Sequence, residues 1–296
     1  MRMKTKRRVE NLIIDRLYKE AIENSPICVG LDTKLEYLPK YLLESDKNIA
    51  DKIFEFNQKI IDNTLDLVAC YKIQIAFYES LGLEGLKAYS RTLKYIKEKD
   101  KLSIADIKRG DISSTADAYG KAHFQGDFEA DFITINPYMG IDSVMPYFKH
   151  FNTKDKGIFV LIRTSNKGSE DFQELMIKDK PLYMKVADKT KEWGKDFIGD
   201  SGFSSLGGVV GLTYPEEFLK IKNNNPNTFF LIPGYGAQGG KGEDIKEIFK
   251  EGVCGVINSS RGIIKSHKGK KENEEFVDYI RQSTLEMKED IKKWLK

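Results

Sequence analysis

Eight short runs rich in β-branched and aromatic residues recur along the chain, and stretches of helical composition separate them. The runs are residues 26–32, 68–74, 102–108, 132–138, 157–165, 206–213, 228–234 and 255–261. Amphipathic stretches fall between them at 49–65, 78–98, 114–125, 181–198, 215–223 and 243–249. Regular strand–helix alternation implies parallel pairing through right-handed crossovers. Eight such units suffice to close a barrel. An open doubly wound sheet carries fewer strands and opens on a glycine fingerprint, and no G-x-G-x-x-G follows the first run here. The expected fold is therefore α/β, a TIM (β/α)8 barrel. Helices at 9–23 and 272–294 lie outside the repeat, and 166–205 reads as an insertion-like stretch. No linker rich in Pro, Gly or Ser interrupts the pattern and no sequence repeat divides it, so residues 1–296 read as one domain.

Composition narrows the partners. Lys and Arg number 48 against 45 Asp and Glu, a net +3, which lacks the basic excess of a nucleic-acid binder. No apolar run approaches the roughly 18 residues that span a bilayer. Cys28, Cys70 and Cys254 are odd in number, dispersed and set in apolar segments, unlike a disulfide framework or a zinc motif, so a reducing cytoplasm is expected. The basic start (residues 1–8) leads into a charged segment too short for a signal peptide and reads as the approach to a helix.

In this barrel the active site lies at the C-terminal ends of the strands, so polar residues there are the candidates. They are Asp32, Lys72, Asp106, Lys108, Asn136, Thr164, Ser165, Gln238 and Arg261. Asp106 and Lys108 stand two apart on a strand and share a face, and Lys72 on the adjacent strand reaches the same spot. Alternating charges stabilise one another's ionised forms, and such an array can hold an anion and deliver a proton. A satisfied ion pair at a barrel rim is the plainer alternative. Asp111 reads by composition as part of a helix start, with Ser114 and Asp117 at capping-box spacing.

A second constellation joins residues 233–240 (Pro-Gly-Tyr-Gly-Ala-Gln-Gly-Gly) to 259–262 (Ser-Ser-Arg-Gly). Loops after the seventh and eighth strands often bind phosphate through glycine-exposed N–H groups, and Arg261 supplies bidentate charge. Pro233, Gly236, Gln238, Ser260 and Arg261 are the candidates; turn formation alone would also explain the glycines. His123, His150 and His267 lie away from strand ends, so neither a histidine base nor a His-based metal site is expected. Residues 265–271 read as a solvated loop, and Trp193, Phe197 and Phe203 as packing residues.

Seven segments now resemble, in order, the orotidine 5'-monophosphate decarboxylase family. They are Gly30-Leu-Asp32, Tyr71-Lys-Ile-Gln-Ile-Ala-Phe77, Asp106-Ile-Lys-Arg-Gly-Asp-Ile112, Asn136-Pro-Tyr-Met-Gly140, Arg163-Thr-Ser-Asn166, residues 233–240 and Asn258-Ser-Ser-Arg-Gly-Ile263. The longer, type 2 variety fits best, over about residues 30–263. The resemblance implies decarboxylation of orotidine 5'-monophosphate to UMP, the last step of UMP synthesis, with no metal or other cofactor. It makes Lys72, Asp106, Lys108 and Asp111 a charged tetrad, with Asp111, Ile112 and Thr115 donated across a homodimer interface, which displaces the capping reading of Asp111. It puts Asp32 on ribose hydroxyls, Ser165 on the pyrimidine edge, and Gln238 and Arg261 on phosphate. Asn136, Thr164, Pro233, Gly236 and Ser260 are further expected substrate contacts. Two rivals stand beside it. One is a Mg²⁺-dependent sugar-phosphate decarboxylase or aldolase, which shares the D-x-K-x-x-D element; the other is a catalytically silent nucleotide-binding barrel.

Overall fold

The computed structural model describes residues 12–236 and 239–295. Its strands are β1 (Ile27–Gly30), β2 (Cys70–Gln74), β3 (Leu102–Arg109), β4 (Phe132–Ile135), β5 (Gly157–Arg163), β6 (Ser204–Val210), β7 (Thr228–Pro233) and β8 (Gly255–Ser259). All eight pair in parallel, each with its chain neighbours, and β1 pairs with β8 to close the barrel. The expected TIM barrel is the observed one. Most runs stop short of their expected C-terminal ends, because residues such as Asp32, Asn136 and Ser165 leave the ladder to line the mouth or its loops.

Helices Ile49–Asp62, Gly82–Glu98, Ser113–Phe124, Leu182–Gly194, Pro215–Asn224 and Gly242–Ile248 follow the amphipathic stretches. Asn48 shows how one starts: its side chain accepts the Asp51 N–H at 2.8 Å, satisfying an otherwise orphaned donor. Helix Phe148–Lys154, between β4 and β5, was not expected. At seven residues behind Pro146 it is too short to write a hydrophobic period. The capping box at Ser114 and Asp117 is absent. The helix begins at Ser113 with Ile112 as its cap and no side-chain cap bond, while Asp117 pairs with Lys121 and Lys149.

Two-residue periodicity sorts the barrel interior by height. Its lower part is apolar, with Cys28, Cys70, Leu102, Ile104, Phe132 and Phe229 in one buried cluster. Two residues further along β2, β3 and β4 the inward positions become Lys72, Asp106 and Thr134. From below, helix Ile13–Glu23 inserts Ile13, Ile14, Leu17 and Ala21 into the same cluster. Asp155 accepts the Ile13 N–H at 2.6 Å, and Asp15 accepts the Ser201 N–H at 2.7 Å, which fixes the plug at both sides. Cys28 and Cys70 stand in register on β1 and β2 as free, buried thiols.

The segment after β5 folds as a 3-10 turn (Lys167–Asp171) and a two-stranded hairpin (Met176–Ile177 with Lys180–Pro181) before the barrel resumes. The C-terminal helix Phe276–Lys292 packs on helices Ile49–Asp62 and Gly242–Ile248. His267 corrects the solvated-loop expectation for 265–271. It is fully buried between the Phe56 and Phe276 rings, and that burial brings its pKa down to about 4, keeping it neutral. Among the described residues, no helix is long and apolar enough to cross a membrane.

Candidate active site

A cavity of about 420 Å³ opens at the C-terminal ends of the strands. Asp106 is its electrostatic centre. Its Oδ2 accepts from Lys72 Nζ at 3.2 Å and Gln74 Nε2 at 3.1 Å, and its Oδ1 from Lys108 Nζ at 2.6 Å and Thr134 Oγ1 at 2.8 Å. Lys72 also reaches Asp32 Oδ1 at 3.0 Å, so the four groups form a chain of alternating sign. Burial works against the Asp106 anion, but Lys72, Lys108 and their hydrogen bonds outweigh it and lower its pKa to about 2. Burial likewise opposes the Lys72 ammonium, and Asp32 with Asp106 more than compensates, holding it above the usual lysine range. At neutral pH both are charged.

Lys108 is delivered by an irregularity. While β4 advances from Ile133 to Ile135, β3 advances from Ala105 to Arg109, and within this bulge Lys108 adopts φ +45°. A left-handed conformation costs a side-chain-bearing residue about 1–2 kcal/mol. The Lys108 N–H donates to Thr134 Oγ1 at 3.0 Å, replacing a lost ladder bond. Buried Lys72 is fixed, whereas the Lys108 side chain keeps 44% of its exposure, directed to the cavity.

Thr164, Ser165 and Asn166 line one wall. Gln173 from the insertion holds Thr164 twice, accepting its N–H at 2.9 Å and donating to its Oγ1 at 2.8 Å. Arg163 does not face the cavity. A register shift between Leu161 and Arg163 turns it outward, where it is fully buried against Glu217, Ser169 and Glu174, with its guanidinium 4.1 Å from the Tyr214 ring centroid. Further round the barrel the wall carries Pro233, Gly234, Tyr235, Asn258, Ser260 and Arg261. Gly236 follows with φ +72°, a turn conformation that side chains resist. Arg261 opens the short helix Arg261–Ile264 and is exposed. Gln238 lies outside the described residues.

The cavity thus gathers Asp32, Lys72, Asp106, Lys108, Thr164, Ser165, Pro233, Ser260 and Arg261. Asn136 stays off it, its side chain accepting the Tyr138 N–H at 3.0 Å. Asp111, Ile112 and Thr115 are also off this chain's cavity; Asp111 accepts the Ile112 N–H at 2.8 Å. Sequence reasoning passed over Gln74, Thr134 and Asn258. Thr134 and Asn258 share the inward parity of their strands, and that was the available signal.

A closed parallel barrel with ion-paired lysines and aspartates in its mouth, together with a glycine-rich seventh loop and an arginine at the eighth, defines the class: a (β/α)8-barrel enzyme. The model of the orotidine 5'-phosphate decarboxylase / HUMPS family matches residues 25–276. The orotidine 5'-phosphate decarboxylase of Clostridium kluyveri is 54% identical over 286 residues, 95% of this chain and 98% of the relative. The solved OMP decarboxylase of Leishmania donovani superposes with a TM-score of 0.75 at 30% identity, covering 96% of this chain and 98% of that one. The UMP synthase of the same organism gives 0.78 at 32% identity; 94% of this chain spans 55% of that larger one. The chain belongs to the orotidine 5'-phosphate decarboxylase family.

Proposed function

We propose that this protein decarboxylates orotidine 5'-monophosphate to UMP, closing pyrimidine nucleotide synthesis in the cytoplasm without a cofactor. The observation that carries the reading is the charge chain Asp32–Lys72–Asp106–Lys108, lying across one cavity from Ser260 and Arg261. Loss of CO₂ from C6 leaves an electron pair in an sp² orbital that the pyrimidine ring cannot delocalise. Enzymes supply up to about 23 kcal/mol of transition-state stabilisation. A preorganised ammonium beside C6 provides the positive charge that an electron sink would otherwise give. Lys108 takes that role, first stabilising the carbanion and then protonating it. Asp106 sits next to the departing carboxylate, promoting its loss by repulsion or by fixing Lys108.

Asp32 binds the ribose hydroxyls, Ser165 the pyrimidine edge, and Gln238 and Arg261 the phosphate, with Thr164, Pro233, Gly236 and Ser260 as further substrate contacts. Asn136 supports the mouth from the fourth loop. The tetrad is completed by Asp111 of a second copy, accompanied by Ile112 and Thr115. Two observations support the sharing: these three residues do not line their own chain's cavity, and Ile112 is exposed, as are Tyr138, Met139 and Met145 on the next loop. The test is incubation of purified protein with orotidine 5'-monophosphate in excess chelator. Conversion to UMP is expected. A folded protein that converts nothing until Mg²⁺ is restored with a sugar phosphate overturns the reading in favour of the rival chemistry.

A further inference from the structure

The loop that follows β7 packs on the barrel on one side, with Tyr235 against the core and Gly240 against Leu212, and is open on the other. An open surface groove of about 320 Å³ lies on that side, between Tyr235, Ser259 and Gly262 and Met287 and Asp290 of the C-terminal helix. Tyr235 therefore walls both this groove and the catalytic cavity. On its open side this wall must be held by something other than close packing. One carboxylate oxygen does so at both stems of the loop: Asp290 Oδ2 accepts the Tyr235 hydroxyl at 2.7 Å and the Gly242 N–H at 3.0 Å. Between those stems the backbone closes on itself, Gly236 N–H to Gly240 O at 2.8 Å and Gly240 N–H to Gly234 O at 3.1 Å. The approach at Gly242 is close enough that a Cβ there would lie 2.3 Å from Asp290 Oδ2. Burial and the neighbouring Asp290 carboxylate both raise the Tyr235 pKa, so the phenol stays protonated as the donor.

We infer that Asp290 is a positioning residue for the phosphate end of the site, acting from the C-terminal helix through Tyr235 and the two loop stems. This rests on the phosphate reading of the seventh and eighth loops. It gives the appended helix a part in the site. The alternative is that Asp290 only satisfies the first N–H of helix Gly242–Ile248 and stabilises the fold.

The two are separated by comparing orotidine 5'-monophosphate with orotidine, which lacks the phosphate, in kcat/KM assays. For Asp290→Ala the efficiency on the phosphorylated substrate should fall about 10- to 100-fold, the scale of a small misplacement of a binding group, with orotidine turnover unchanged. Asp290→Asn keeps an acceptor oxygen and should recover most of the loss. An equal fall on both substrates, or none on the nucleotide, overturns the inference. If Asp290→Ala does not fold, Asp290→Asn combined with Tyr235→Phe reads the same split. Arg261→Ala is the control for the underlying reading. Normal nucleotide kinetics in that variant remove the phosphate assignment itself, whereas a nucleotide-specific loss there beside an unaffected Asp290→Ala removes only the role of Asp290.

Discussion

Asp106 accepts four hydrogen bonds while almost wholly buried, so its charge depends on its neighbours. Its pKa falls to about 2 in the folded protein, against about 3.9 for an unfolded chain. A carboxyl depressed in this way contributes stability that is present above the unfolded value and lost as pH falls through the folded one. The stability gap between wild type and Asp106→Asn should therefore be widest above about pH 4 and narrow by about 2–3 kcal/mol toward pH 2. Denaturant unfolding across that range checks it, and a gap that does not change with pH contradicts it. Lys72 and Asp106 were legible in the sequence because alternation along a strand needs no tertiary information; Lys108 reaches the same carboxylate through the bulge instead. Gln74 and Thr134 share that inward alternation, but a neutral polar residue near a strand end acquires its role only from the register, which sets Gln74 opposite Asp106. Asp111 enters the proposed site only through the family resemblance; in this chain it lies outside the cavity.

Among the elements, β3 and β5 each break register near the mouth, with opposite results. In β3 the shift keeps Lys108 on Asp106; in β5 it turns Arg163 out of the barrel to anchor the insertion. No composition signal marks either bulge, so the strands could be counted in advance but their ends could not be aimed. The same limit hid helix Phe148–Lys154, whereas the long periodic helices were evident. Arg163 supplies the prediction at this scale. Removing one partner of a buried ion pair leaves the others uncompensated, at a cost of about 3–5 kcal/mol. Because Glu217 and Glu174 keep 24% and 42% of their side-chain exposure, Arg163→Leu belongs at the lower end, about 3 kcal/mol. Chemical denaturation measures it; a loss under about 1 kcal/mol would mean that the insertion does not depend on this anchor.

The molecule as a whole is a barrel closed below by the apolar face of helix Ile13–Glu23 and open above onto charge. That polarity follows from where each inward-facing strand position changes from Cys, Ile or Phe to Lys, Asp or Thr. The proposed tetrad, completed by a second copy, would make the dimer the catalytic unit. Mixing inactive Lys72→Ala and Asp111→Ala proteins should then restore activity, since each hybrid dimer holds one intact site. At equal mixing, random exchange predicts about a quarter of wild-type activity. No recovery despite demonstrated subunit exchange would place the whole site within one chain. In the proposed mechanism Lys108 meets and then protonates the carbanion at C6. The most direct test of that role is single-turnover decarboxylation of orotidine 5'-monophosphate by Lys108→Ala, with UMP affinity measured alongside. Near-normal UMP binding with a rate at least about 10³-fold lower is the predicted result. A rate within about tenfold of wild type would contradict it.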